Sequence, residues 1–340
     1  MTSCAAERSV AVTCQPRAAN AILAWPLPQP TSHAEFPFAE HEEALHRWQK
    51  IDFEGLGVNE HGELLSEYSR FCSSAKAFIT PNLKRPNLTI ITHALTEKVL
   101  FDGNKAIGVR YKKDNKSVDI HCKNEVILSS GAFGSPQMLM LSGVGPKAHL
   151  TDKNIPVIHH LPGVGQNLQD HIDYVQTFRV ASSEETFGLS LKGGVSMLKS
   201  MFEWKSKRSG KITSTLAESG AFFSSKDGLV APDVQLVFIP GIVDNHARQL
   251  NFGHGYSCHL TVLRPDSVGE VKLNSNNPDD SPMIDPNFFN NEKDLELIKC
   301  AGVKMRAILE GKPFDGIRQK LLFPLAKGDE QALEQDIRNR

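Results

Sequence analysis

Four histidines in strand-like parts of the sequence are the first residues to test for chemistry, because imidazole is the usual acid–base and metal-binding group near neutral pH. His159 and His160 are adjacent, so their side chains point to opposite faces of a strand and cannot hold one metal ion together. His254 and His259 flank a second strand-like run. Only their residue type supports a catalytic role, so we assign none of the four to catalysis.

A glycine turn is the clearest local signal in the chain. Gly131 and Gly134 follow an apolar run. We predict that Ser135 caps a short helix, that Pro136 takes its first position and that Gly143 ends it. A strand, a glycine turn and a helix in succession let the backbone approach a cofactor and aim free N–H groups at it. Close packing of the strand against the helix explains the same glycines equally well, and the local pattern leaves both interpretations open.

A second glycine-rich loop spans residues 161–171 and ends in the pair Asp170 and His171. The pair is a candidate for catalysis, but a hydrogen-bond network inside the loop is the simpler interpretation. Leu168 stands where the third glycine of a Gly-x-Gly-x-x-Gly fingerprint would follow Gly165, and this dinucleotide fingerprint occurs nowhere in the chain. The phosphate-binding Gly-Lys-Ser/Thr loop and the Gly-x-Ser-x-Gly nucleophile elbow are absent as well.

The elements that position these motifs form two regions. Before the glycine turn, short runs rich in β-branched residues predict strands, and Gly103, Asp114 and Asn115 predict the tight hairpins of a β-meander that feeds a last apolar strand. These runs lie at residues 88–92, 98–101, 106–111, 118–122 and 125–129. Further strands are predicted at residues 155–160, 232–239, 256–263 and 269–273, and helices at residues 40–47, 189–210, 294–309 and 331–338.

Composition narrows the class of protein. The chain has 340 residues, with 38 Lys plus Arg against 39 Asp plus Glu, and therefore lacks the basic surplus that nucleic-acid binding requires. No apolar run reaches the roughly 18 residues of a membrane-spanning helix. Glu7 and Arg8 interrupt the region that a secretory signal would occupy, so we expect a cytoplasmic protein. The six cysteines are scattered, and we expect neither a disulfide framework nor a metal site.

Several segments resemble the glucose–methanol–choline (GMC) oxidoreductase family. Residues 131–146 are similar to the family's second signature, and residues 161–171 to the Pro-Gly-Val-Gly-x-Asn-Leu-x-Asp-His segment that follows it. Further segments match in the family's order at residues 73–78, 85–89, 263–269 and 284–287. The stretch from Val243 to His259 is most similar to bacterial alcohol and choline dehydrogenases that pass electrons to an acceptor.

The resemblance implies a flavoprotein. It implies an α/β FAD-binding domain, partial in this chain, and an α+β substrate domain with a mainly antiparallel sheet. FAD accepts hydride at N5 from a primary alcohol while a histidine base takes the hydroxyl proton, and the electrons pass to a quinone or another acceptor. Backbone groups of Thr96 are expected beside the adenine, and the turn formed by Ser130, Gly131 and Ala132 beside the adenosine half of FAD.

Two departures from the family pattern limit what the resemblance implies for this chain. The family opens with a Gly-x-Gly-x-x-Gly turn for the FAD pyrophosphate, and its catalytic histidine is expected beyond Arg340. We therefore expect no catalytic residue in this chain, and weak FAD binding or none. The expected organisation is a poorly matched lead-in over residues 1–48, a partial FAD-binding domain over residues 49–180 and a substrate-binding domain over residues 181–340.

Three functions are open at this point. The first is an internal fragment of an FAD-dependent oxidoreductase that acts on the CH–OH group of a primary alcohol, related to alcohol or choline dehydrogenases and inactive as written. The alternative from another class is a non-catalytic remnant or interaction module that retains the substrate-domain fold. An oxidase that passes electrons to oxygen fits the same residues as the dehydrogenase.

A basic amphipathic helix is predicted in the segment from Lys192 to Lys211. Val195, Leu198, Met201 and Phe202 share one side of this helix, and its lysines and arginine outnumber a single acid. Peripheral contact with an anionic membrane surface, such as the inner membrane, is one hypothesis for this segment. The simpler hypothesis is a surface helix whose apolar side packs on its own domain.

Overall fold

The computed structural model describes residues 9–13, 21–25, 75–180, 186–214, 216–217, 219–226, 228–243 and 251–339. The chain divides into two units, of which the first contains residues 1–166 and 271–284 and the second contains residues 167–270 and 285–340. The boundary expected at residue 180 falls inside the second unit, because the strand that begins at Ile172 belongs to the sheet of that unit.

Short strands and tight turns make up most of the first unit. Its strands are β1 (Ser9–Thr13), β2 (Ala21–Trp25), β3 (Thr89–Ile91), β4 (Leu95–Asp102), β5 (Lys105–Lys113), β6 (Lys116–His121), β7 (Val126–Leu128), β8 (Val144–Gly145) and β9 (His159–His160). Its helices are α1 (Gly131–Leu141) and α2 (Lys147–Asp152), after a π-helical turn (Ala75–Ile79) and a 3-10 turn (Thr80–Asn82). The helix predicted at residues 40–47 lies outside the described residues.

The predicted meander is confirmed for β4, β5 and β6, which form an antiparallel sheet in that order. Gly103, Asp114 and Asn115 have φ angles of 56°, 50° and 59°, the left-handed backbone that tight hairpins need. The prediction was wrong for β3 and β7, which lie in a separate sheet of order β3-β2-β1-β7, where β1 and β7 are parallel. Turn residues specify hairpin neighbours, whereas a parallel partner is distant in sequence and carries no local signal.

Helix α1 begins earlier than the sequence predicts. Its first residue is Gly131, its N-cap is Ser130 without a side-chain capping bond, and Pro136 lies inside the helix. The predicted capping role of Ser135 was wrong, because its Oγ accepts a hydrogen bond from the Ser130 N–H at 3.1 Å from within the helix. Gly143 does follow the helix with a φ of 86°, which confirms the predicted helix end.

The second unit contains the longer elements. Its strands are β11 (Ile172–Val180), β12 (Gly188–Leu189), β13 (Ser219–Phe223), β14 (Val234–Ile239), β15 (Gly253–Val262) and β18 (Arg318–Leu321). Its helices are α3 (Leu191–Lys207), α4 (Glu292–Leu309) and α5 (Glu330–Asn339), with 3-10 turns at Lys211–Thr213 and Lys312–Phe314. The chain passes between the units through β10 (Gln166–Leu168), β16 (Gly269–Lys272) and β17 (Met283–Asp285).

An antiparallel sheet is the centre of the second unit, as predicted. Its strands follow the order β13-β14-β15-β11-β18, and β12 pairs with β15. In the register of β11 and β15, Asp173 lies opposite Thr261 and Val175 lies opposite His259. The alternate residues, among them Tyr174, turn to the other face and form the core with α4 and α5. Strands β11 and β15 therefore have one face in the core and place Asp173, His259 and Thr261 on the other face, toward the candidate site.

A buried carboxylate fixes α4 to the loop after β15. Asp294 is 3% exposed and accepts hydrogen bonds from the N–H groups of Asp266 at 2.9 Å and Ser267 at 2.8 Å. The Ser267 hydroxyl donates to the same carboxylate at 2.5 Å. Hydrogen bonds to a charged acceptor are stronger than neutral ones, so this carboxylate holds the loop in place.

We expect Asp294→Ala to lower the free energy of unfolding by about 2–4 kcal/mol, because it leaves two backbone N–H groups and one hydroxyl without their acceptor. Urea unfolding followed by circular dichroism measures the change. Glu292→Ala, at an exposed position in the same helical turn, is the control and should change the free energy by less than about 0.5 kcal/mol. Equal unfolding midpoints for the two variants would contradict this role of Asp294.

Candidate functional site

The N-terminus of α1 is open to a ligand. Gly131 has a φ of 80°, and nothing lies within 4 Å of the position that a Cβ would take there. Gly131 and Ala132 are exposed, whereas Ser130 is buried. The first N–H groups of a helix have no partner within the helix and attract phosphate and other polar ligand atoms. This turn therefore allows close approach by a ligand that accepts hydrogen bonds.

Thr96 lies on β4, which is an edge strand of the β4-β5-β6 sheet. The pairing of β4 with β5 is irregular between Thr96 and Lys98. The Thr96 side chain is 3% exposed, and its Oγ1 has no hydrogen-bond partner in the described part of the chain. An edge strand presents unpaired backbone groups, and a buried hydroxyl without a partner is rare. These features suit a ligand that hydrogen-bonds to the backbone here, and the expected contact with adenine stays a prediction.

Ser142 connects the two candidate segments of the first unit. The Val99 N–H of β4 donates to the Ser142 hydroxyl oxygen at 2.8 Å, and that hydroxyl donates to the Met138 carbonyl of α1 at 2.6 Å. Helix α1 also packs against β4. The strand that carries Thr96 and the helix that carries Gly131 therefore belong to one framework.

The second glycine loop has a structural role in the first unit. A Cβ on Gly165 would overlap the carbonyl oxygen of Val271, whose N–H donates to the Gly165 carbonyl at 2.6 Å. Next to it, the Leu273 N–H donates to His149 Nε2 at 3.0 Å. Glycine is required here for close backbone packing.

The histidines singled out in the sequence mostly have structural partners. His160 Nδ1 accepts a hydrogen bond from the Lys147 N–H at 3.1 Å, and His159 is exposed. His254 Nε2 lies 2.7 Å from the hydroxyl of Ser190, which caps α3.

The loop pair also has a local role. The Asp170 carboxylate accepts a hydrogen bond from the backbone N–H of His171 at 2.8 Å. This contact matches the simpler interpretation, a hydrogen-bond network within the loop.

His259 differs from the other histidines because a carboxylate orients its ring. Its Nδ1 lies 2.6 Å from Asp173, and the Thr261 hydroxyl donates to the other oxygen of that carboxylate at 3.2 Å. Nδ1 donates to Asp173 in this arrangement, because an ionised carboxylate can only accept. Asp173 has no role in the sequence-based prediction. It is the one acidic residue of a strand that also contains Gln176, Thr177 and Arg179, so the sequence does not single it out.

A cavity of about 900 Å³ opens on the face of the sheet that carries this pair. His259 and Asp173 line it together with Asp170, and apolar side chains such as Phe288 and Phe289 form other parts of its wall. Polar and charged side chains, among them Arg338 and Asn339, make up about half of the wall. A cavity of this size, with polar groups beside apolar ones, can accommodate a small molecule.

The opposite face of β15 is strongly desolvated. Burial, and to a lesser degree the Asp173 carboxylate, raises the pKa of the Cys258 thiol to about 12. Burial also raises the pKa of Tyr256 to about 12, and its hydroxyl donates to the Leu309 carbonyl at 3.1 Å. The core face of the strand therefore excludes charge.

The described residues contain no group of three His, Cys, Asp or Glu side chains that could hold a metal ion. Among the described helices, none combines the length and apolar character that crossing a membrane requires.

Comparison with known proteins places these observations in a family. Two family models described as GMC oxidoreductase match the chain, the N-terminal one over residues 52–173 and the C-terminal one over residues 265–339. The alcohol dehydrogenase (acceptor) of Pseudomonas putida is 38% identical over 304 residues, which cover 86% of this chain and 54% of that protein. The mitochondrial choline dehydrogenase of Mus musculus is 38% identical over 300 residues, which cover 87% of this chain and 48% of that protein.

A solved structure of a formate oxidase variant from Aspergillus oryzae has a TM-score of 0.66 at 23% identity, over 76% of this chain and 50% of that chain. The fold and the matched segments thus define an FAD-dependent class of oxidoreductase. The chain belongs to the GMC oxidoreductase family. The predicted family, fold class and cofactor of the family are confirmed. The chain spans about half the length of the curated relatives it matches.

The raised pKa values predict a loss of stability at alkaline pH. The ordinary pKa values of a cysteine thiol and a tyrosine hydroxyl are 9.0 and 10.0, so the unfolded chain releases the protons of Cys258 and Tyr256 at lower pH than the folded chain does. The free energy of unfolding should therefore fall as pH rises from about 9 toward 12. Cys258→Ala should reduce this fall, measured by urea unfolding at several pH values. Cys300→Ala is the control, and an equal effect of both changes would contradict the prediction.

Proposed function

We propose that this chain supplies part of the FAD site and the substrate-binding domain of an oxidoreductase that oxidises the CH–OH group of a primary alcohol. The open turn at Gly131, inside the segment that the N-terminal family model matches, carries the proposal. The relatives named alcohol dehydrogenase (acceptor) and choline dehydrogenase support the choice of an alcohol as substrate. A quinone or a comparable electron acceptor would reoxidise the flavin.

Residues of the first unit would hold the adenosine half of FAD. The backbone of Thr96 at the edge of β4 would contact the adenine. Gly131 and Ala132 would offer N–H groups at the positive end of α1, and Ser130, whose N–H is bonded to Ser135, would border the ligand. Bound FAD supplies the hydride acceptor. The cavity of the second unit would exclude water around the alcohol. We assign no residue of this chain as the catalytic base.

We expect the isolated 340-residue chain to bind FAD weakly, because its sequence has no Gly-x-Gly-x-x-Gly turn for the pyrophosphate. Equilibrium dialysis with excess FAD measures this binding. Gly131→Ala should weaken it by about tenfold, since a Cβ would project into the open space at the turn. Gly103→Ala is a matched control, because this glycine also has positive φ and open space around its Cβ position but lies in a hairpin.

Stoichiometric flavin retained after desalting would contradict weak binding, and equal losses in the two variants would contradict the assignment of Gly131. If flavin is retained, alcohol turnover with artificial acceptors, with and without oxygen, separates a dehydrogenase from an oxidase. A chain without flavin and without turnover matches the alternative, a non-catalytic remnant or interaction module.

We also propose that the segment from Lys192 to Lys211 contacts the surface of an anionic membrane. Leu191, Val195, Leu198 and Phe202 are 93%, 67%, 58% and 72% exposed and follow one side of α3. These exposures support contact of this side with something outside the described chain rather than its packing on its own domain, the simpler hypothesis from the sequence.

The basic residues of α3 favour an anionic lipid surface as the partner of its apolar side. Basic residues surround the apolar side, and the single acid of the helix, Glu203, accepts a hydrogen bond from the Ser209 hydroxyl at 3.1 Å. Apolar side chains inserted at the interface and lysines near lipid phosphates are the interactions of a peripheral amphipathic helix. A cytoplasmic location, still a prediction, would place this helix within reach of the anionic inner leaflet.

Phe202→Gln should weaken binding to vesicles of phosphatidylcholine with phosphatidylglycerol by about tenfold, because it removes a large apolar side chain from the interface. Co-sedimentation measures the bound fraction. Phe252→Gln is the matched control, since Phe252 is 74% exposed but lies outside α3. Binding should disappear on pure phosphatidylcholine. Equal binding to both vesicle types, or a dimer that Phe202→Gln dissociates, would contradict membrane contact.

A further inference from the structure

A second cavity lies beside helix α3, within the second unit. Its volume is about 280 Å³, and α3 contributes Gly193, Ser196 and Met197 to its wall. Apolar side chains, among them Phe187 and Ile242, form much of the rest. The polar side chains in the described part of the wall are Thr186, Ser196, Asn251 and Lys211. Among the described lining residues, Lys211 is the one charged group and none is acidic.

Helix α3 packs on its own unit through small side chains. A Cβ on Gly193 would overlap the carbonyl oxygen of Gly188 in β12. Two turns further along the helix, the buried hydroxyl of Ser200 accepts a hydrogen bond from the Ile212 N–H at 2.8 Å. Gly193, Ser196 and Ser200 are spaced as i, i+3 and i+7, so they share the inner side of the helix. The large apolar side chains of α3 are therefore left on its outer side.

Three large apolar residues connect the cavity with the protein surface. Leu189, Met197 and Leu216 line the cavity and are 45%, 38% and 38% exposed. Contact of these side chains with water carries a cost that a bound apolar chain would remove. Small-molecule sites usually enclose about 300–1,000 Å³, so a cavity of about 280 Å³ suits one short apolar chain better than a whole lipid.

We propose that this cavity binds one acyl chain of an anionic membrane lipid, whose head group lies near Lys211. The exposed lysines of α3 add to the positive charge on this side of the unit: Lys192, Lys199, Lys205 and Lys207. Burial of methylene groups and attraction between lysine and lipid phosphate are the two interactions that would hold the lipid. This inference rests on the membrane contact proposed for α3 and deepens it by naming the lipid group that the protein takes up.

Monomeric lysophosphatidylglycerols test the proposal, because they present an acyl chain without a bilayer. Isothermal titration calorimetry with the full chain, below the micelle concentration of each lipid, measures the affinity. The octanoyl form should bind about tenfold more tightly than the hexanoyl form, since two more methylene groups are buried. Octanoyl lysophosphatidylcholine should bind about fivefold more weakly than its anionic counterpart. The vesicle experiment with Phe202→Gln tests membrane contact separately, so either proposal can fail alone.

Methionine methyl spectra locate the bound chain without any variant. Met197 lines the cavity, whereas Met201, one turn further along α3 and 50% exposed, is not among the lining residues. Octanoyl lysophosphatidylglycerol should therefore shift the methyl resonance of Met197 and leave that of Met201 in place. Equal shifts of the two methyl groups would overturn the assignment of the cavity.

Variants that fill the cavity provide a further test. Ser196→Phe should weaken binding of the octanoyl lipid by about tenfold, because the ring occupies the space that the acyl chain needs. Ser206→Phe is the matched control, since Ser206 is an exposed residue of the same helix outside the cavity wall, and it should leave this affinity unchanged. Equal affinities of the two variants, of the two chain lengths or of the two head groups would overturn the proposal.

Discussion

The register of β11 against β15 is the constraint on which the second unit depends. Because side chains alternate along a strand, the pairing of Asp173 with Thr261 fixes which residues of both strands enter the core and which face the cavity. A slip of β11 by one residue would bury the carboxylate of Asp173 in the core, whereas a slip of β15 would turn Tyr256 toward the cavity. The cost of burying an unpaired charge there excludes that alternative.

The helix layer reinforces this register from the core side. Tyr174 donates its hydroxyl to Asp336 of α5 at 2.6 Å, and Tyr256 donates to the last residue of α4. Phe178 and Tyr256 stack with ring centroids 5.6 Å apart. Each tyrosine ring fills the core and also places its polar end at a helix, so only one register satisfies both the packing and the hydrogen bonds.

Sequence patterns predicted the positions of strands and helices better than they predicted which strands pair. Alternation and turn residues located β4, β5, β6 and the three helices of the second unit, because these signals act over a few residues. The start of α1 and the separate sheet of β3 and β7 could not be found in this way, since one depends on the hydroxyl of Ser135 inside the helix and the other on a parallel strand distant in sequence. The same limit applies to the candidate sites. Family resemblance indicated Thr96 and the turn at Gly131. The hydrogen bond between Asp173 and His259 joins residues far apart in sequence, so only the strand register reveals it.

Two of the candidate site residues contain a buried polar atom without a partner, whereas several buried polar residues elsewhere are fully bonded. Ser142, Asp294 and Ser257 are buried and fully engaged: the Ser257 hydroxyl, for example, donates to the Gly241 carbonyl at 2.8 Å. Thr96 Oγ1 and His259 Nε2 are buried without a partner in the described chain. A folded chain retains such an energetic cost where something other than packing has selected the residue. One of these atoms belongs to Thr96, where the family resemblance expects the cofactor, and the other belongs to His259, a residue that lines the cavity in the second unit.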